Sequence, residues 1–146
     1  MWSDSLLVAE RAHLLRLLAW GAGSVLAGSA IAAFLAARRI PSPLLGQFAT
    51  QTAAWGAIDL LLAGLAWRGL AMRDVAGATR LDRLLWLNTG LDVGYVAVGV
   101  TLAVAGWVLG RRLGAVGAGL GVVVQGIALL VLDAKFIGII ARLAIA

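Results

Sequence analysis

Four long apolar stretches, Leu17 to Ala37, Leu44 to Trp67, Leu84 to Gly110 and Leu113 to Ala141, fill most of this chain, and the only charges inside them are Asp59, Asp92, Asp133 and Lys135. A hydrocarbon core about 30 Å thick is crossed by roughly 20 apolar residues in a helix. Each stretch has that length, and the connections between them are too short to bury a soluble core of their own. In lipid every backbone donor and acceptor must be satisfied within its own segment, which leaves helices as the element these stretches can form. The expected fold is therefore all-α: one transmembrane domain over residues 1–146, an integral membrane four-helix bundle with helices near 14–37, 44–71, 82–110 and 113–142. Residues 1–13 are expected as a cytoplasmic extension of the first helix or a short interfacial helix.

Composition agrees. Hydrophobic residues make up 62% of the 146 and charged residues 13%, with a mean hydropathy of +1.00, against about a quarter charged in soluble domains. The net charge of +5 is almost entirely arginine placed in connections and at helix ends. That placement reads as a topology signal and as contact with lipid headgroups. No alternation of basic and aromatic residues suggests nucleic acid, so no nucleic-acid partner is expected. Cysteine is absent, which excludes thiolate chemistry and Cys-ligated clusters. The single histidine, His13, falls before the first apolar stretch, so a cofactor held by two imidazoles between helices is not expected. The expected cofactor list is empty.

Counting arginines orients the chain. With the N-terminus, the middle connection and the C-terminus on one side, that side holds Arg11, Arg16, Arg68, Arg73, Arg80, Arg83 and Arg142, against Arg38, Arg39, Arg111 and Arg112 opposite. The positive-inside rule then places both termini in the cytoplasm of a cell whose inner membrane the chain crosses four times.

The scarce polar residues recur. With a constant offset, Gln51, Asp59 and Arg68 fall on Gln125, Asp133 and Arg142, and the arginine pairs 38/39 and 111/112 end the first and third stretches alike. The pattern predicts two helical hairpins repeated in parallel about a pseudo-twofold axis along the membrane normal.

Residues four apart share a helix face. Gln51, Trp55 and Asp59 form such a stripe, as do Asn88 and Asp92 with Tyr95 beside them, and Gln125 with Asp133. Asp59 lies nine residues before Arg68, Asp92 nine after Arg83 and Asp133 nine before Arg142. At 1.5 Å per residue each carboxyl sits roughly 13 Å inside one membrane edge. Three carboxyls at one depth, each costing about 2.5–3.5 kcal/mol if charged and unpaired, need a proton, a cation or a basic partner. Arg16 and Lys135 are the candidate basic partners, Arg16 where the first helix is tilted or shifted deep enough; Lys135 points about 200° around the helix from Asp133 and can snorkel to the edge, so an interfacial anchor is its favoured reading.

The function expected from this pattern is an intramembrane acidic and polar site for a proton, a small cation or a cationic solute. It is built from Asp59, Asp92, Asp133, Gln51, Asn88, Tyr95, Gln125 and Trp55, and transport or permeation is its natural use. The competing expectation is an accessory or scaffolding subunit of a larger membrane complex, in which the polar belt fixes helix register. The partners open to such a chain are the lipid bilayer and either a homo-oligomer or a larger membrane complex, since four helices alone enclose little volume for a solute path. Catalysis has least support, because no nucleophile or metal-ligand set accompanies the carboxyls.

Overall fold

A computed structural model describes residues 2–145. Met1 and Ala146 lie outside the described residues. The chain forms four helices: α1 (Trp2–Arg38), α2 (Pro43–Arg68), α3 (Val75–Val108) and α4 (Leu113–Ile145), with no strand among the described residues. The fold is an all-α bundle, and the segment before residue 14 is not separate: it continues α1 without a break. At 37 residues α1 is about 55 Å long, well beyond the thickness of a bilayer core. The third helix likewise begins at Val75 rather than near 82.

Three helices, α1, α3 and α4, are long and apolar enough to cross a membrane. Residues 44–67 were expected to do so too. At 26 residues α2 has the length, but Gln47, Thr50, Gln51, Thr52 and Asp59 dilute its apolar run below that of the others.

Helix boundaries follow local chemistry. Ser42 caps α2, its hydroxyl accepting from the Leu45 N–H, with Pro43 at the first turn where its missing donor costs nothing. Asp74 caps α3 by accepting from the Gly77 N–H at 2.7 Å. Helix α1 ends where Arg39 turns left-handed (φ 50°) and Ile40 donates back to the Leu35 carbonyl. Gly110 and Arg111 are left-handed in the corresponding turn between α3 and α4. Both hairpin turns thus close on an arginine with positive φ, a conformation that L residues rarely adopt.

Packing follows a seven-residue rhythm. Buried positions along α3 are Ala78, Leu85, Asp92, Gly99 and Gly106; in α1, Leu14, Gly21, Gly28 and Leu35 repeat likewise, with Glu10 one turn before the row and Ser24 within it. Helix α2 buries Ala49, Gly56 and Ala63 at the same spacing. A strict heptad seam keeps one narrow face toward a partner along a whole helix, and small residues on it let backbones approach in lipid. Gly21 and Gly56 face one another across α1 and α2, and Gly99 and Gly119 do so across α3 and α4, so that a Cβ on any of them would press on backbone. The bundle is thus two tightly seamed hairpins joined mainly through α2 and α4, with α1 touching α4 more lightly. Helices α2 and α3 do not pack against each other, and the gap between them leads into the interior.

Candidate functional site

The gap between α2 and α3 opens into a cavity of about 470 Å³ lined by residues from all four helices. Asp59 of α2, Asp92 of α3 and Asp133 of α4 all border it, and all are buried. The heptad seams bring them there: Asp92 occupies one step of the α3 row, flanked by Leu85 and Gly99. Behind it, Gly126 of α4 lies against the Asp92 carbonyl, which brings the backbones of α3 and α4 together at that level.

The three carboxyls differ in their partners. The Gln125 amide donates to Asp59 Oδ2 across the α2–α4 interface. Asp133 Oδ1 lies 3.3 Å from His13 Nε2. Asp92 Oδ2 is buried and has no hydrogen-bond partner.

Other polar groups mark the end of the cavity that carries the α2–α3 connection. Glu10 is buried and accepts two hydrogen bonds from Arg73, from Nε at 2.9 Å and from Nη2 at 2.6 Å. This bidentate pairing gives both charge neutralisation and a fixed geometry. The hydrogen bonds to Glu10 hold the Arg73 guanidinium protonated even more firmly than usual. His13 stacks on Phe136, ring centroids 4.5 Å apart, and Phe136 anchors a cluster with Ala9 and Leu85. At the opposite end Trp55 of α2 and Tyr95 of α3 meet at 5.1 Å and 56°. That ring contact bridges the two helices that otherwise stand apart. Asn88 also borders the cavity from the exposed side of α3.

Six of the eight residues expected from sequence therefore gather here: Asp59, Asp92, Asp133, Asn88, Tyr95 and Trp55 line the cavity directly. Gln125 joins through its bond to Asp59. Gln51 does not reach it: its side chain packs over Gly121, one seam step away.

The expected basic partners are corrected. Lys135 is exposed, because two residues of helix turn it away from Asp133. Arg16 borders a separate open groove of about 700 Å³ on the α1–α4 surface, beside Trp20, Ile127 and Val131. The basic groups at the cavity are His13 and Arg73, and His13, expected outside the apolar core, is 3% exposed. Sequence carried a signal for it: Glu10, Leu14, Leu17, Gly21, Ser24 and Gly28 alternate by four and three, and His13 adjoins that stripe. Among the described residues no group of three His, Cys, Asp or Glu side chains is arranged to hold a metal ion.

No curated protein and no solved structure matches the chain. A family match covers residues 16–134, a span that takes in Asp59, Arg73, Asp92 and Asp133 and leaves Glu10 and His13 before its start. By that match the chain belongs to DUF6992, a family of unknown function.

Proposed function

We propose that the protein is a multi-pass protein of the cell inner membrane that uses the aspartate cavity as an intramembrane site for a proton, cation or cationic solute, in transport or permeation. In this reading α2 crosses the bilayer as a fourth span, with Asp59 buried and the Thr50 and Thr52 hydroxyls bonded to carbonyls of their own helix, and both termini lie in the cytoplasm on the arginine-rich side. The observation that carries it is the convergence of Asp59, Asp92 and Asp133, from three helices, on one cavity. Carboxyls at membrane depth are expensive, and a cavity with room for water or a solute is what a purely structural belt does not need. The Glu10–Arg73 pair would guard the cytoplasmic end and the Trp55–Tyr95 contact the far end. The parallel repeat of the two hairpins is part of the same proposal, supported by the positive-φ arginine in each hairpin turn.

The test is flux in proteoliposomes that carry only this protein, read with an internal pH dye under imposed pH and sodium gradients. Asp59→Asn, Asp92→Asn and Asp133→Asn should each insert and fold and should lower the flux. Wild-type vesicles as tight as empty ones would sink the transport reading.

The second reading, a non-catalytic accessory subunit, draws on a different observation. Gln125–Asp59 and His13–Asp133 each tie one helix to another, as interhelical polar contacts in membranes do. Under that reading the same variants lose a partner or a homo-oligomeric assembly on extraction in mild detergent, with no flux to lose.

A further inference from the structure

The cavity's dimensions and its uneven pairing narrow the class of ligand, on the reading that it is a cation site. We propose that it takes a monovalent organic cation, an aryl or alkyl ammonium, which arrives sideways from the bilayer between α2 and α3 and rests with its charge beside Asp92 and its apolar body against Trp55 and Tyr95.

Four observations carry this. The first is the charge balance of the lining: Glu10, Asp59, Asp92 and Asp133 against Arg73 and His13. Arg73 is spent on Glu10 and His13 on Asp133. Asp59 has an amide donor in Gln125. Asp92, 4% exposed, is left with a buried oxygen that nothing in the chain satisfies. A buried carboxylate oxygen without a donor is costly unless the group takes up a proton or meets a positive ligand, and Asp92 is the carboxyl of the lining that is left open to either.

The second observation is that the carboxyls share a cavity without closing on a point. No three acidic or imidazole groups form a metal-sized cluster among the described residues. A volume of about 470 Å³ lies within the range of about 300–1,000 Å³ typical of small-molecule pockets. The third is the tilted pair of aromatic faces, Trp55 and Tyr95. Tyr95 lies one helical turn beyond Asp92 and Trp55 one turn before Asp59, so both rings stand at the edge of the acidic level. An aromatic face beside a carboxylate suits an ammonium group, because the ring quadrupole attracts a cation that has shed much of its water.

The fourth is the entrance. Ile58 and Leu62 of α2 and Leu84 and Leu91 of α3 border the cavity while remaining 42–59% exposed on the bundle surface. An entrance rimmed on both sides by apolar side chains, in a gap where two helices fail to pack, opens toward lipid tails. It admits a ligand that dissolves there, which a hydrated metal ion does not.

Equilibrium dialysis of the purified, full-length protein in mild detergent, with benzyltrimethylammonium and its neutral isostere 2,2-dimethylpropylbenzene as probes, tests the proposal. The cation binds saturably and the isostere does not. Asp92→Asn weakens cation binding about thirtyfold or more, Asp92→Glu recovers much of it, and Trp55→Ala weakens it roughly two- to thirtyfold. A measurement on the wild type guards against variants that fail to fold: benzyltrimethylammonium protects Asp92 from dicyclohexylcarbodiimide, with the labelled carboxyl located by peptide mass spectrometry. Equal labelling with and without the cation, or equal binding of cation and isostere, overturns the proposal. Asp92-dependent proton or sodium flux in vesicles with no organic-cation binding overturns the ligand class and leaves the proton or small-cation reading standing. Neither flux nor binding overturns both.

Discussion

His13 Nε2 lies 3.3 Å from Asp133 Oδ1, joining the first third of α1 to the middle third of α4. The contact makes the start of α1 part of the cavity wall. The His13 ring is held flat against Phe136, at 16° between planes, and Phe136 is among the most deeply buried side chains of the protein. The orientation of the imidazole is therefore set by packing, and its contact with the carboxylate follows from it.

His13→Ala removes both interactions and is expected to lower the melting temperature in detergent by several degrees. An unsatisfied buried acceptor costs about 1–3 kcal/mol, and a lost ring stack about 0.5–1.5 kcal/mol. His13→Phe keeps the stack and loses only the donor, so its loss should be the smaller. Equal losses for the two variants, by circular dichroism at matched detergent concentration, would mean that the histidine acts through its donor alone.

The Glu10–Arg73 pair should behave as a unit. Glu10 is buried and Arg73 about 29% exposed on its side chain, so removing the arginine strands a carboxylate away from water. Arg73→Met and Glu10→Gln are each expected to cost about 1–3 kcal/mol, and the double variant less than their sum. A double-mutant cycle in thermal unfolding measures the coupling. Additive losses would show that the two contacts contribute nothing jointly.

Much of this arrangement was legible in the sequence, for a physical reason. Within apolar helices a polar residue is costly and scarce, so Asp59, Asp92, Asp133 and Gln125 stood out, and their spacing placed them on inner faces. Arg16 shows the limit of spacing: seam packing turns it onto the outer groove between α1 and α4. The 200° of rotation that separates Lys135 from Asp133 agrees with its exposure. Glu10, His13 and Arg73 were missed because they lie beyond the apolar stretches, where polar residues are ordinary. Helix α1 runs past the bilayer-length stretch and carries two of them back onto the bundle. Gln51 satisfies the same spacing rule as Asp59 yet packs over Gly121, since the eight residues between them advance about 800° and leave a drift of about 80° across the face.

The glycine seams should discriminate between positions of similar sequence context. A Cβ at Gly117 would fall on the Leu44 carbonyl and one at Gly28 on the Ala49 carbonyl and Ala53, whereas Gly23 and Gly138 have open space. Gly117→Ala and Gly28→Ala force helix axes apart and are expected to cost about 1–3 kcal/mol. Gly23→Ala and Gly138→Ala should be neutral or gain up to about 1 kcal/mol from helix propensity. Comparable melting temperatures across the four variants would refute the close helix approach.

The proposed orientation is open to direct measurement. Reporter fusions after Ala146 and at the Arg73 connection should report the cytoplasm, and fusions within Pro41 to Pro43 or at Arg111 the opposite side, following seven arginines against four. A C-terminal fusion active only outside the cytoplasm would reverse the topology and, with it, the side on which Glu10 and Arg73 close the cavity.

Gln125 offers the sharpest probe of the acidic level. Its amide donates to Asp59 from the neighbouring helix, so Gln125→Glu replaces a donor by a second carboxyl of nearly the same shape. At acid pH the new pair can hold one proton between two oxygens and keep a hydrogen bond. At alkaline pH it becomes two like charges in contact, with little water to screen them. The variant's melting temperature should therefore lie close to that of the wild type near pH 5 and fall progressively below it toward pH 9. Gln125→Met, which lacks both donor and charge, should show a deficit that depends far less on pH, because only the bond to Asp59 has been removed. Thermal unfolding of the three proteins in one detergent across that range decides the matter. If the Gln125→Glu deficit is flat with pH, water or a bound cation screens Asp59 from residue 125, and the Gln125–Asp59 bond does not set the charge environment of the site.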